Sequence, residues 1–426
     1  MKKYFIETYG CQMNVSLSDQ LDEKMKQKGF KPSASPEKAD FIIVNACSVR
    51  EHAENRVFQR LLYLHSLKKK KDIKIVATSC FAQNQKENIH SADYILGTYQ
   101  ISSIPDILSN GHRHFLKVEF DEYEFLKPVR NRENPFQSLI DITVGCNNFC
   151  SYCIVPYLRG PQISRPSKQI IEEVKRLGDE GVIEIFLLGQ NVNSYGKDSS
   201  DISFAGLLYK IHEIDNIKRI KFLTSHPKDF DKELIQAVMT LPKLSRWLHL
   251  PLQSGSDRVL QLMNRKYSMA HYYDIVDRLR SYKKDFAQST DILVGFPGET
   301  EKDYQETLTA INNIGFDEAF TFKYSPRKGT RSYALTDSVP EKEKRARLEN
   351  LVRVQRKTEK EKIIRHIGQG CTVLVEGQSK KEKNDAFGRD DCNRVVIIKG
   401  QKLKKGEFYP VRITGVKGLT LLGERQ

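Results

Sequence analysis

Apolar positions in the first 117 residues fall into short runs separated by longer stretches with helical spacing. The runs KYFIETYG, ADFIIVNA, IKIVATS and ADYILG read as buried strands. Val57, Leu61, Leu64 and Leu67 recur at helical spacing and predict a helix over residues 49–70. Strand and helix in alternation predict a parallel sheet. Residues 119–137 are charged, hold two prolines and have no period, so they read as a linker.

A second alternation runs from about 138 to 325, with LIDITVG, EIFLLG, IKRIKFLT, WLHLPL, QSTDILVGF and EAFTFKY as its strands. One intervening helix, over 300–314, carries a capping box from Thr300 to Asp303, with Tyr304, Leu308 and Ile311 on one face. Six such repeats fit a partial (β/α) barrel better than a doubly wound sheet, although periodicity alone does not separate the two. A basic amphipathic helix is expected at 340–366. From Ile364 onward, CTVLVEG, NRVVIIKG, FYPVRITGV and LTLLGE alternate with glycine turns and predict a small all-β barrel. The expected fold class is therefore α/β with an all-β tail. Its expected units are a parallel α/β domain over 1–117, a barrel over 132–362 and the tail over 364–426.

The 426 residues suit two or three domains. With 39% hydrophobic and 29% charged residues, the chain is not a disordered one. No apolar run approaches the roughly 18 residues that span a bilayer. The start MKKYFIETYG lacks the apolar core of a signal peptide, so a cytoplasmic location without membrane attachment is expected. The net charge is +15, and the last 63 residues hold 13 basic and 7 acidic side chains. That excess suits a polyanionic partner, although lysine-rich surfaces also occur in proteins that never meet nucleic acid.

Cysteine placement narrows the chemistry. Eight cysteines in a long chain expected in the cytoplasm argue for metal or redox work over a disulfide scaffold. Cys146, Cys150 and Cys153 form a C-x3-C-x2-C triplet in DITVGCNNFCSYCIVPYLRG, directly after a predicted strand. Three close thiolates suit an iron–sulfur cluster or zinc. A Cys3His zinc site would need a distant ligand, because no histidine lies within about thirty residues. Cys11, Cys47 and Cys80 each close a different predicted strand, and the carboxyl ends of parallel strands share one sheet edge. They are placed to converge as a second tripod, the alternative being ordinary buried cysteines. Cys371 and Cys392 match no such pattern and read as packing residues.

The triplet at the end of a first barrel strand resembles the radical S-adenosylmethionine superfamily. That resemblance implies a 4Fe-4S cluster whose open iron chelates S-adenosylmethionine and cleaves it to a 5′-deoxyadenosyl radical. With two tripods and a basic β tail, the chain resembles the methylthiotransferases over nearly its whole length. Gln12, Met13 and Asn14 in YGCQMN are similar to the MiaB-type branch, which modifies tRNA. Further matches are NACSVREHAENRV, LLGQNVNSYG, TSHPKDF, LPLQSGSDRVLQLMNRKY and STDILVGFPGETEKDY. The tail segments VEGQSKK and NRVVIIKG resemble the TRAM domain, an RNA-binding barrel. Departures are Ser79 in TSCFAQ, where glycine is expected, Arg331 and Ser332 in YSPRKGTRSY, and Cys392 in GRDDCNR.

The resemblance implies two 4Fe-4S clusters, an auxiliary one on Cys11, Cys47 and Cys80 and the radical-generating one on Cys146, Cys150 and Cys153. It implies cofactor contacts at Gly189, Gln190 and Asn191. Ser225, Gln253 and Asp291 are polar residues near the ends of later predicted strands and are candidate nucleoside or substrate contacts. Arg159 and Gly160 are near the same face, and His226 is a weaker candidate. No acid–base pair is expected, because an unactivated aromatic C–H bond has no useful acidity. The implied reaction is methylthiolation at C2 of N6-isopentenyladenosine 37 in the tRNA anticodon loop, with a low-potential electron donor and a sulfur donor as partners. Other readings are a methylthiotransferase for a protein side chain or another adenosine, and a non-enzymatic RNA-binding protein with structural clusters.

Overall fold

The computed structural model describes every residue except 49, 50, 70, 112–114, 121, 283, 284, 380, 381, 383 and 401. The amino-terminal strands form one six-stranded parallel sheet. Its spatial order is Lys31–Pro32, Lys3–Tyr9, Phe41–Ala46, Lys74–Thr78, Tyr94–Leu96 and Phe115–Lys117. Helix Glu51–Leu67 matches the predicted 49–70 except at its ends, and residues 49, 50 and 70 lie outside the described set. The two-residue strand Lys31–Pro32 and the short Phe115–Lys117 are too brief to carry a period, and neither was expected.

The central unit has the six expected strands, in two parallel three-stranded sheets. One runs Arg219–Phe222, Glu184–Leu188, Gln137–Asp141, and the other Trp247–His249, Ala287–Val294, Glu318–Lys323. A bridge from Ile220 to Leu244 continues the first sheet toward the second. Side-chain alternation sorts the strands by face. Ile140, Ile185, Leu187, Ile220 and Phe222 pack with helices Ser167–Asp179 and Phe204–His212. On the opposite face Leu139, Phe186, Leu188 and Leu223 join Met13, Leu17 and Leu21 of helix Gln12–Gln27. The first helix of the amino-terminal unit thus packs on the inner face of the barrel sheet. The capping box at Thr300 and Asp303 forms as expected.

The stretch read as a linker is a packed strap. Phe120 and Tyr123 set their rings edge-on to Tyr99, and Leu126 is buried. Its aromatic residues find partners that no local period reveals. Asp121 within it, and Lys380 and Lys381 of the tail motif, lie outside the described residues.

The basic helix runs Glu341–Ile364 and leads into a closed five-stranded barrel. Four strands match the expected segments, and Ala386–Arg389 is a fifth, whose AFGR lacks a hydrophobic run. This barrel closes the amino-end pole of the central one. There Glu184 pairs with Arg219 at 3.1 Å and Lys221 at 3.2 Å, all three buried. The tail covers them: Arg219 donates to the Asp390 carbonyl at 2.8 Å, and Lys221 to Asn393 Oδ1 at 3.1 Å. Cys392 belongs to this docking loop, its thiol 3.1 Å from the Asp285 carbonyl. Among the described residues no helix is long and apolar enough to cross a membrane.

Candidate cluster and cofactor site

Cys11 caps helix Gln12–Gln27 after the first strand, Cys47 follows Phe41–Ala46, and Cys80 lies in helix Ser79–Gln85 after Lys74–Thr78. Parallel pairing of these three strands puts the thiols on one sheet edge. Gly10, at φ +149°, keeps the first two close: a Cβ there would stand 2.5 Å from Cβ of Cys47. A buried amide network lies beneath. Asn14 donates to Asn45 Oδ1 at 2.7 Å, and Asn45 donates back to the Asn14 carbonyl at 2.9 Å. Ser79 sits at φ +67°, which explains the expectation of glycine. Its hydroxyl donates to Asn45 Oδ1 at 2.7 Å, so serine holds this left-handed turn through a hydrogen bond.

The second triplet sits in the loop after Thr143–Val144. Gly145, at φ +77°, lets the chain pass Pro161, whose carbonyl oxygen would be 1.9 Å from an added Cβ. Cys146 N donates to the Gly160 carbonyl at 3.2 Å and Cys153 N to the Cys150 carbonyl at 3.0 Å. Arg331 lies over the Phe149 ring at 5.8 Å, and Ser332 N donates to the Ser151 carbonyl at 2.7 Å. The unusual Arg331–Ser332 pair therefore buttresses this loop.

The sites meet through Arg159, on the short helix Val155–Arg159 just past the triplet. Its side chain is 4% exposed. Nε donates to Cys80 Sγ at 3.1 Å and Nη1 to Met13 Sδ at 2.6 Å. Gln190 Nε2 donates to the same Met13 sulfur at 2.8 Å. From the barrel's other side, Arg327 donates to the Ser48 carbonyl at 2.8 Å, next to Cys47.

Electrostatics differ between the triplets. The Cys11 thiol is lowered to about 5, first by its hydrogen bond with Cys47 and, against burial, by the Arg159 charge. Cys153 is pushed up to about 12 by burial and by neighbouring Cys150, and burial also raises Cys146. Arg265, buried, donates to Cys150 Sγ at 3.3 Å and stays charged despite burial, held by Tyr267, Tyr152 and Cys150.

The expected cofactor residues gather on the same pole. Gly189 follows strand Glu184–Leu188, where a Cβ would be 2.1 Å from Thr143 Oγ1. Asn191 donates to Asp229 Oδ2 at 2.7 Å. Ser225 follows strand Arg219–Phe222, and Gln253, at φ +67°, donates its N–H to the Asp291 carbonyl at 2.8 Å. Asp291 lies toward the carboxyl end of Ala287–Val294, level with Gln253, its carboxylate 3.5 Å from His249 Nε2. His226 Nδ1 accepts the Lys228 N–H at 3.2 Å, a local turn bond, and burial pushes its pKa well down.

Sequence reasoning missed Met13 as a meeting point, Arg265 beside Cys150, and Thr143 and Asn193. The only signal for Arg265 was its place in LMNRKY, among motif residues with no assigned role. Several buried polar atoms at this pole lack a partner among the described residues: Thr143 Oγ1, Gln190 Oε1, Asn191 Oδ1, both Asn193 amide atoms, Ser225 Oγ and His226 Nε2. Each such atom costs about 1–3 kcal/mol unless a ligand or water meets it. Donors and acceptors beside three soft thiols fit a cluster bearing a small polar molecule. Among the described residues, no three His, Cys, Asp or Glu side chains are gathered to hold a single metal ion.

Residues 3–97 match a family described as uncharacterized protein family UPF0004, 140–311 the Radical SAM superfamily, and 365–424 the TRAM domain. A tRNA-2-methylthio-N(6)-dimethylallyladenosine synthase of Thermoanaerobacter pseudethanolicus is 44% identical, covering 99% of this chain and 92% of that protein. The chain belongs to this synthase family. A synthase of Moorella thermoacetica is 40% identical over 99% of this chain and 98% of its own length. One of Clostridium botulinum is 41% identical, with 99% and 96% covered. Membership in a radical S-adenosylmethionine methylthiotransferase family brings a 4Fe-4S cluster and S-adenosylmethionine with it. Among solved structures, the methyltransferase TsrM of Kitasatospora setae superposes with TM-score 0.55 at 12% identity, covering 78% of this chain and 74% of that one. The cobalamin-dependent enzyme OxsB gives 0.52 at 11% identity, with 84% and 56% covered. These two likenesses concern the fold.

Proposed function

We propose that this chain methylthiolates C2 of N6-isopentenyladenosine at position 37 of tRNA, using two 4Fe-4S clusters and S-adenosylmethionine. The observation that carries this reading is Arg159: a residue six past the last cysteine of one triplet donates to a thiol of the other. Cys146, Cys150 and Cys153 would hold the cluster that binds S-adenosylmethionine, and Cys11, Cys47 and Cys80 an auxiliary one. When bound, these groups supply one-electron cleavage of the sulfonium and an iron on which transferable sulfur rests.

The chain's own residues do the positioning. Gly189 opens the space beside Thr143, while Gln190, Asn191, Asn193 and Ser225 offer unpaired polar atoms to the cofactor. Arg265 and Arg159 place fixed cations beside thiolates in a water-poor site, where charge counts most. Helix Gln12–Gln27, packed on the barrel sheet, brings the two triplets to one pole and narrows the approach. A base in a loop is unstacked at low cost, so an anticodon-loop adenosine is the form of substrate this pole would admit. The basic tail and the helix before it would hold phosphates, adding affinity without base choice. An external low-potential reductant and a sulfur donor complete the scheme. The functional units are assigned as 1–117, 132–362 and 364–426.

The test is anaerobic reconstitution with iron and sulfide, followed by incubation with S-adenosylmethionine, reductant and isopentenylated tRNA. Nucleoside mass spectrometry should find the 2-methylthio product. Reductive cleavage without that product, and with methylthiolation of a protein instead, would transfer the reading to the protein-modifying branch.

A further inference from the structure

At the pole opposite the thiols, helices Met269–Tyr282, Glu301–Ile314 and Glu341–Ile364 border a cavity of about 630 Å³. Phe286, which lines it, immediately precedes strand Ala287–Val294, so the cavity lies at the strands' amino ends. At about 3.3 Å per residue, that strand puts roughly 25 Å between the cavity and the thiol-bearing pole.

Among the described residues its lining is cationic: Arg280, Lys357, Lys362 and Arg365 against the carboxylate of Glu361. Lys362 is satisfied within the protein, by Asp317 at 2.6 Å and the Gly315 carbonyl at 2.8 Å. Lys357 and Glu361 stand 3.9 Å apart with side chains 78% and 57% exposed, a pairing worth little. Arg280 is the unspent group. A guanidinium carries five N–H donors. That of Arg280, half-buried, meets the Gly315 carbonyl at 3.4 Å and forms no salt bridge among the described residues. Burial lowers its pKa even though Asp317 and Asp277 act to raise it. Those carboxylates act from beyond ion-pair distance, so the guanidinium has donors left for an incoming anion.

The surroundings indicate which anion. Arg365 ends the helix that enters the tail barrel, and Arg394 of the docking loop pairs with Asp285, beside Phe286, at 2.8 Å. The cavity therefore lies at the seam between the central barrel and the tail with 13 basic and 7 acidic residues. Cations spread along an open seam match a polymer's phosphates better than a small enclosed anion. We propose that this cavity receives a backbone phosphate of the tRNA, outside the anticodon loop. The inference rests on the tRNA reading above and deepens it. One end of the RNA would be held at the seam while the loop enters the opposite pole, so the enzyme would grip a whole tRNA at two points.

The test uses the full-length reconstituted protein. Arg280→Gln with Lys357→Gln is compared with Lys357→Gln alone, whose exposed side chain makes misfolding no explanation. Binding of full-length tRNA and of an isolated anticodon stem-loop is measured across a salt series. Losing one or two phosphate contacts should weaken full-length tRNA binding about tenfold and flatten the log–log salt slope by about 1–2. The single variant should move the same way by less. Stem-loop binding and S-adenosylmethionine cleavage should stay at wild-type values. Unchanged affinity and slope for full-length tRNA would overturn the assignment, as would equal weakening toward the stem-loop. The wild type is assayed alongside: if it makes no methylthio product, the tRNA reading fails, whereas product formation with variants that bind normally sinks only the cavity.

Discussion

Arg159 Nε lies 3.1 Å from Cys80 Sγ, joining two residues 79 positions apart and the two cysteine triplets. Burial alone would lower the arginine's pKa, but the thiols of Cys80 and Cys11 keep it raised. The guanidinium is thus the built-in counter-charge of the amino-terminal triplet. Arg159→Ala should lose iron from that triplet selectively, leaving roughly half of the ~8 irons expected for two 4Fe-4S clusters. Arg159→Lys, which keeps the charge, should retain more. Iron analysis with Mössbauer spectroscopy checks this, and full iron in both variants would leave Arg159 without the role.

Changing Cys146, Cys150 and Cys153 together to alanine should also leave about half of the iron, and abolish cleavage of S-adenosylmethionine. The same change at Cys11, Cys47 and Cys80 should keep some cleavage while ending methylthiolation. The contrast between the two triple variants tests the division of labour. Methylthio product from the second variant at the wild-type rate would contradict it.

Asp141 joins the amino-terminal unit to the barrel, its Oδ2 accepting from Ser16 at 3.1 Å and Gln20 at 3.2 Å. Burial raises its pKa to about 6, against those hydrogen bonds. A raised value means the protonated form is favoured on folding. This contribution is fully present below the unfolded value near 3.8 and is lost as pH rises through about 6. Asp141→Asn mimics the protonated state, so at pH 7 it should be more stable than wild type by up to about 3 kcal/mol. That advantage should fade below about pH 4. Urea titrations across this range decide it, and a variant less stable than wild type at pH 7 would reverse the sign.

Where the tail docks, Glu184 neutralises both Arg219 and Lys221 out of contact with water. Glu184→Gln leaves two buried cations unpaired and should cost about 3–5 kcal/mol. Loosened docking should accompany it, read as faster proteolysis near residues 364–370. Proteolysis at the wild-type rate would mean that apolar packing alone seats the tail.

Much of this architecture was legible in the chain. Short apolar runs marked the main strands, and Cys11, Cys47 and Cys80 could be set on one sheet edge from their places after three strands. The rest depended on contacts between segments far apart in sequence. Nothing local says that Arg159 reaches Cys80, that Arg265 lies against Cys150, or that the charged Arg219 and Lys221 face a tail loop. The strap around Tyr123 was read as a linker because its partner, Tyr99, comes from another unit. Ser225, Gln253 and Asp291 could be placed near strand ends, but the bond from Gln253 N to the Asp291 carbonyl, which sets two of them side by side, joins distant segments.

The most direct test of the central claim is the nucleoside content of tRNA from cells lacking this protein. Mass spectrometry should find 2-methylthio-N6-isopentenyladenosine gone and N6-isopentenyladenosine accumulated, with the wild-type chain restoring the former and a Cys11→Ala chain failing to. Undiminished 2-methylthio-N6-isopentenyladenosine in those cells would contradict the account.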